Sequence, residues 1–261
     1  MRIGVFDSGL GGLTVVQAMT KVIKGAELFY IADTKNAPYG EKTSLQILQY
    51  SLDITKHFID THQIDALIIA CNTATSAAIK ELREKYPELI IIGTEPGIKP
   101  AIEQTKTGKV GVLATPATLQ GEKYQQLACT LAIHKEVILY EQACPGLVEQ
   151  IEKGETTSLK TRMMLDKWLQ PMKTSGVDTI VLGCTHYPMV SELIETVMQR
   201  KLNLIDTGDA IAKRLLNLST ELSHQNEGDL EINLYHTDVI SKETVQIVLD
   251  CAMKLTFISI K

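Results

Sequence analysis

The chain has 261 residues, 44% apolar and 22% charged, which suffices for one large core or two smaller ones and carries no disordered or fibrous bias. Two domains are the expectation. A net charge of −5 with scattered Lys and Arg offers no basic patch for counterion-driven phosphate binding, which argues against a nucleic-acid partner, while a small acidic substrate stays compatible because local donors decide that.

The opening "MRIGVFDSG" reads as a first strand rather than a signal peptide, and no apolar run approaches the roughly 20 residues that span a bilayer. A cytoplasmic protein with no membrane partner is expected. Short β-branched runs then alternate with helical patterns: "RIGVFD" and "LTVVQAMTKVI", "LFYIAD" and "TSLQILQYSLDITKHFIDTH", "DALIIA" and "TATSAAIKELREKY", then "LIIIGT". This rhythm predicts parallel strands covered by helices on both faces, a class of sheet that binds ligands at the carboxyl ends of its strands. The informative residues therefore follow each strand.

A second series repeats the plan from about residue 96, through "KVGVLATPATLQGEKYQQLA", "EVILYEQACPG", "LVEQIEKGE", "RMMLDKWLQPM" and "DTIVLGCTHYPMVSELIETVMQ". "NLIDTGDAIAKRLLNL" leads to the loop-like "STELSHQNEGDLE", and the closing "INLYHTDVISKETVQIVLDCAMKL" reads as strand then helix, too little to stand as a domain. The expected division is a first α/β domain of residues 1–95 plus 207–261 and a second of 96–206. Asp65 and Asp178 are separated by the same 113 residues as Cys71 and Cys184, so "DALIIACNTAT" and "DTIVLGCTHYP" look like one unit written twice.

The five cysteines, Cys71, Cys129, Cys144, Cys184 and Cys251, are odd in number and form no C-x-x-C pair, so reduced thiols are expected and neither a disulfide framework nor a zinc ribbon is indicated. Asn72 or Thr73 is expected to cap a helix after Cys71, with a similar start at Thr185 after Cys184. Unpaired N–H groups at such a place favour a thiolate. A cysteine ending a buried strand is equally an ordinary small core residue. As active groups, the pair could be metal ligands, although Cys184 and His186 supply only C-x-H. They could form a redox switch, or two bases working from opposite faces of one carbon, the duty that inverting a stereocentre by proton transfer requires.

Several neighbours supply supporting chemistry. Asp7 ends the first strand and can orient a thiol or hold a substrate ammonium. The glycines of "DSGLGG" could cradle a phosphate or simply make a tight turn. "ADTKNAPYG" adds Asp33 and a Pro38-Tyr39-Gly40 turn. His186 can assist a neighbouring base. Glu149 and Glu152, three apart, share a helix face. Ser8, Asn72, Thr73 and Thr185 are neutral donors that serve as well for caps as for carboxylate recognition.

"GVFDSGLGG", "APYG", "ACNTAT" and "LGCTHYP", in this order and covering residue 3 to about 210, resemble the glutamate racemases of the aspartate/glutamate racemase superfamily. The resemblance implies two pseudo-symmetric domains, each a mainly parallel sheet flanked by helices, with the active site in the cleft between them. It further implies an isomerase that interconverts L- and D-glutamate without cofactor or metal and supplies D-glutamate to peptidoglycan, hence to cell-wall biogenesis and cell shape. Cys71 and Cys184 would exchange the proton, with Asp7, His186 and Glu152 assisting. Asp7, Ser8, Tyr39, Gly40, Asn72, Thr73, Thr185 and His186 would contact glutamate, with Asp33 in a supporting position. The family pattern C-P-x-x-V-P-x-x-E reads "CPGLVEQIE" here, which makes Glu152 the match and Glu149 its rival. "KNAPYG" lacks the arginine common before that turn. The oligomeric state stays open, a homodimer included.

Overall fold

The computed structural model describes residues 1–95, 97–221, 223–240, 242–249 and 255–259. The chain lays down β1 (Arg2–Asp7), α1 (Leu13–Thr20), β2 (Ala26–Ala32), α2 (Ser44–His57), β3 (Ala66–Ile69), α3 (Asn72–Lys85) and β4 (Ile90–Gly93). After α4 (Ile98–Gln104) come β5 (Lys109–Ala114), α5 (Pro116–Gln120), α6 (Glu122–Lys135), β6 (Ile138–Ala143), α7 (Leu147–Glu152), α8 (Leu159–Ser175), β7 (Thr179–Gly183), α9 (Ser191–Met198) and β8 (Asn203–Ile205). The chain ends through α10 (Gly208–Glu221), β9 (Leu230–His236), α11 (Lys242–Val248) and β10 (Leu255–Ser259). The short α4 and the final strand β10 are absent from the sequence reading. Cys251 lies outside the described residues.

These elements form two compact units, Met1–Thr94 with Gly208–Lys261, and Glu95–Thr207. The first holds a six-stranded sheet in the order β10-β9-β2-β1-β3-β4, the second a four-stranded sheet in the order β6-β5-β7-β8. Every strand pairing is parallel. The run β2-β1-β3-β4 has the same connectivity as β6-β5-β7-β8, so the repeated sequence unit is a repeated topology.

Both sheets are covered on two faces, which is why their strands are almost wholly apolar. In the first unit, side-chain alternation sends Ile3, Val5, Leu28, Tyr30, Ala66 and Ile68 to a core shared with α1 and α10. Phe6, Phe29, Ile31, Leu67 and Ile69 face the opposite way, against α2 and α3. In the second unit, Leu113, Ile180 and Leu182 pack on α7, α8 and α9, while Val110, Val112 and Val181 pack on α4 and α6. Each such fully buried aliphatic side chain contributes about 1.5–3 kcal/mol from water exclusion.

Local chemistry sets the helix ends. Thr43 starts α2 with a capping box, its hydroxyl accepting from the Gln46 N–H while the Gln46 side chain accepts from the Thr43 N–H at 3.0 Å. The helical stretch expected over 43–62 stops being α-helical at His57, widens over Phe58–His62, and ends at Gln63, whose φ of 49° is left-handed. Within "DSGLGG", a Cβ on Gly12 would come within 2.7 Å of both the Asp7 Cβ and the Tyr30 hydroxyl oxygen. That glycine lets α1 pass close against the end of β1 and needs no phosphate to explain it. Among the described residues, no helix is long and apolar enough to cross a membrane.

Candidate active site

Register determines which residues stand side by side at the strand ends. In the first unit Asp7 is level with Ala32 of β2, and Phe6 is level with Ile69 of β3. Continuing those registers sets Asp33, Ser8 and Cys71 abreast at the carboxyl ends of three adjacent strands. The sequence separates them widely; the parallel pairing gathers them.

Cys71 is itself the N-cap of α3, in place of the expected Asn72 or Thr73, which already belong to the helix. Its extended backbone (φ −70°, ψ 121°) turns the sulfur back over the first turn, where it accepts from the Ala74 N–H at 3.4 Å. A sulfur receiving such a donor at a helix start is suited to carry negative charge. The Ser8 hydroxyl lies 4.0 Å from the same sulfur. Asp7, Ser8, Asn72 and Thr73 are all buried, and the amide N–H₂ of Asn72 has no hydrogen-bond partner among the described residues. A buried donor left this way is what a ligand oxygen would satisfy.

Tyr39 opens a short 3-10 turn, Tyr39–Glu41, with half-buried Gly40 next to it. Its hydroxyl donates to Asp33 Oδ2 at 2.6 Å. Burial, then the Asp33 charge and hydrogen bond, then the charges of Cys71 and Asp7 hold the phenol far above its ordinary range, so Tyr39 stays neutral. Asp7, Asp33, Tyr39 and Cys71 thus share one electrostatic neighbourhood.

The second unit repeats the layout with different chemistry. Ala114 of β5 is level with Ala143 of β6 and with Gly183 of β7, so Cys144, Thr115 and Cys184 follow abreast. The Cys184 sulfur lies 3.7 Å from His186 Nδ1, Thr185 Oγ1 lies 3.5 Å from the same nitrogen, and His186 Nε2 meets Glu152 Oε1 at 2.5 Å. Burial opposes protonation of His186, but the hydrogen bonds and charges of Cys184 and Glu152 outweigh it and raise the imidazole well above its usual value. The result is a sulfur, an imidazole that can move its proton, and a carboxylate that orients the imidazole.

One expectation is corrected here. Cys184 is not at the start of an α-helix: it enters a turn, then a 3-10 turn over Tyr187–Val190, and α9 begins only at Ser191. Pro188 is the reason: it has no N–H to give the Cys184 carbonyl, which instead accepts from the Tyr187 N–H at 3.1 Å. His186 therefore supports this thiol where a helix terminus supports Cys71. Of Glu149 and Glu152, Glu152 bonds His186, while Glu149 lies near the Tyr187 phenol.

Two buried residues at these strand ends were not singled out in the sequence. Thr115 caps α5, accepting from the Thr118 N–H at 3.2 Å, and its hydroxyl lies 2.9 Å from Thr118 Oγ1. Cys144 is pushed up to about 12 by burial and by the neighbouring Cys184 charge, so it remains a thiol. The signal for both was available in "LATPAT" and "QACPG", each following a strand. Among the described residues, Cys71, Cys129, Cys144 and Cys184 are free thiols, and no cluster of three or more His, Cys, Asp or Glu side chains could hold a metal.

Comparison with known proteins agrees with this layout. The model of the Asp/Glu/Hydantoin racemase family matches residues 3–215. A glutamate racemase from Sulfurovum sp. (strain NBC37-1) is 65% identical over 100% of this chain and 98% of its own length. The crystal structure of glutamate racemase from Francisella tularensis in complex with D-glutamate superposes with a TM-score of 0.84 at 27% identity, covering 100% of this chain and 97% of that one. The Escherichia coli glutamate racemase in complex with L-glutamate and activator UDP-MurNAc-ala does so with a TM-score of 0.84 at 28% identity, covering 99% and 98%. With the family model matching most of its length, the chain belongs to the Asp/Glu/Hydantoin racemase family.

Proposed function

We propose that the protein interconverts L- and D-glutamate by a two-thiol mechanism that uses no cofactor. The observation that carries the reading is the equivalence of Cys71 and Cys184: each follows the third strand of the same four-strand pattern, and each has its own supporting group. The full-length likeness to a glutamate racemase, and the binding of D- and L-glutamate by two structures of this fold, select the substrate.

In the proposed reaction one sulfur is a thiolate and the other a thiol, and they approach the substrate α-carbon from opposite faces. The thiolate takes the α-proton, and the electron pair left on the carbon is delocalised into the carboxylate. The thiol then delivers its proton to the opposite face. The two sulfurs have exchanged charge, and the opposite enantiomer is converted by the reverse sequence. Asp7 assists Cys71 and the His186–Glu152 pair assists Cys184. Ser8, Gly40, Asn72, Thr73 and Thr185 hold the substrate's charged ends, with Tyr39 beside them. Donors fixed in advance offset the charge that develops on the carboxylate.

The D-glutamate so formed serves peptidoglycan synthesis in the cytoplasm. The deciding experiment is incubation of the purified protein with L-glutamate in D₂O. Loss of optical rotation together with deuterium at the α-carbon is the expected result, and retained rotation without exchange rejects the activity. Deleting the gene should make growth depend on added D-glutamate, and unimpaired growth without it would remove the cell-wall role.

A further inference from the structure

The last strands of the first unit reach the loop that carries Tyr39. The Thr237 N–H donates to the Ala32 carbonyl at 3.1 Å, extending the β2·β9 ladder one step past the Ala32–His236 pair. Its hydroxyl donates to Asp33 Oδ1 at 2.9 Å and accepts from the Lys35 N–H at 3.0 Å. One residue on, the Asp238 N–H donates to Thr34 Oγ1 at 2.9 Å.

Asp33 is 2% exposed, and its carboxylate is fully used. Oδ1 accepts from Thr237 and from Asn36 Nδ2, and Oδ2 accepts from Asn36 Nδ2 and from the Tyr39 hydroxyl. Three donor groups, with Asn36 Nδ2 shared between the two oxygens, already occupy this buried carboxylate, so it is not the group that would receive a substrate ammonium. Asp33 acts on Tyr39 instead. With its proton committed to Asp33, the Tyr39 oxygen can only accept from a ligand, which matches a substrate ammonium and not a carboxylate. A hydroxyl that donates to a charged acceptor is also a stronger acceptor itself.

We propose that Thr237, at the end of β9, is a positioning residue for catalysis: it fixes Asp33, and through Asp33 it aims the Tyr39 hydroxyl oxygen at the ammonium group of the substrate. The proposal rests on the racemase reading only through the contact between Tyr39 and glutamate.

The test compares Thr237→Val, which keeps the shape and removes the hydroxyl, with Thr237→Ser, which keeps the hydroxyl. KM and kcat for glutamate are measured beside amide hydrogen exchange. Thr237→Val should raise KM about tenfold, the weight of one hydrogen bond to a charged group, with kcat little changed. It should also speed exchange in residues 34–42 while leaving β1 and β3 protected. Thr237→Ser should restore both. Wild-type KM and loop exchange in Thr237→Val would overturn the proposal, as would a loss of protection spread evenly through the sheet, which marks a structural part only. If the wild type itself fails to racemise glutamate, the activity is refuted separately, and the loop exchange still decides whether Thr237 braces Asp33.

Discussion

His186 Nε2 and Glu152 Oε1 stand 2.5 Å apart although 34 residues separate them in the chain. The carboxylate is partly open to solvent and the imidazole is buried. Because His186 is raised above the ordinary 6.5, the stability it contributes is fully present below that value and is lost as the pH rises through the higher folded value. Glu152→Gln should therefore cost about 2 kcal/mol near pH 6, with the penalty shrinking as the pH climbs. Denaturant unfolding of both proteins across that range measures it, and a penalty that grows with pH would contradict the assignment. Activity should fall by less than the roughly hundredfold that a direct proton-transfer partner is worth.

Cys71→Ala and Cys184→Ala should each reduce racemisation by at least about 10³-fold, because each removes one of the two proposed proton carriers. Circular dichroism of the product and NMR of α-deuteration give the readouts. Normal turnover in both single variants would end the two-thiol scheme.

The placement of Ser8, Asp33, Cys71 and Cys184 directly after strands was legible, because the βαβ rhythm marks where each strand ends. Of their partners, His186 and Glu152 were expected near Cys184, whereas those that hold Asp33 were not. Glu149 and Glu152 share a helix face, so the face alone left them open; the family pattern favoured Glu152, and the docking of α7 against the turn after β7 sets it beside His186. Thr237 was hidden for another reason: it neighbours Asp33 through sheet register, and β9 pairs with β2 across more than half the chain. The helix expected at Thr185 failed because Pro188 lacks the N–H that its first turn would need.

Gly12→Ala should destabilise the protein by about 1–3 kcal/mol, since the added methyl group meets the Asp7 Cβ and the Tyr30 hydroxyl oxygen at 2.7 Å. Because the added methyl group presses on Asp7, which is proposed to assist Cys71, activity should fall further than stability accounts for. Thermal melting together with turnover, measured well below the transition, separates the two effects. An unchanged melting temperature would mean that the α1 turn yields more readily than this packing implies.

Cys144 and Cys129 should differ sharply toward thiol reagents. Cys144 is buried and held up to about 12, so at neutral pH it is neither reachable nor ionised, while Cys129 is exposed. Peptide mapping after brief iodoacetamide treatment should find Cys129 carbamidomethylated and Cys144 intact. Early labelling of Cys144 would mean that the β6 end opens readily.

The second unit is inserted between β4 and α10, so the six-stranded sheet is assembled from chain segments separated by the whole of that unit. On the ribosome, the second unit has all its strands in hand while the first still waits for β9 and β10. Until then the flank of β2 lies unpaired, Leu28 and Tyr30 lack the Ile232 and Leu234 neighbours they meet in the finished sheet, and Asp33 lacks the Thr237 hydroxyl. Nascent chains halted before β9 should consequently be recognised by chaperones through that open edge, and competence to turn over substrate should arrive abruptly, once β9 and β10 have emerged.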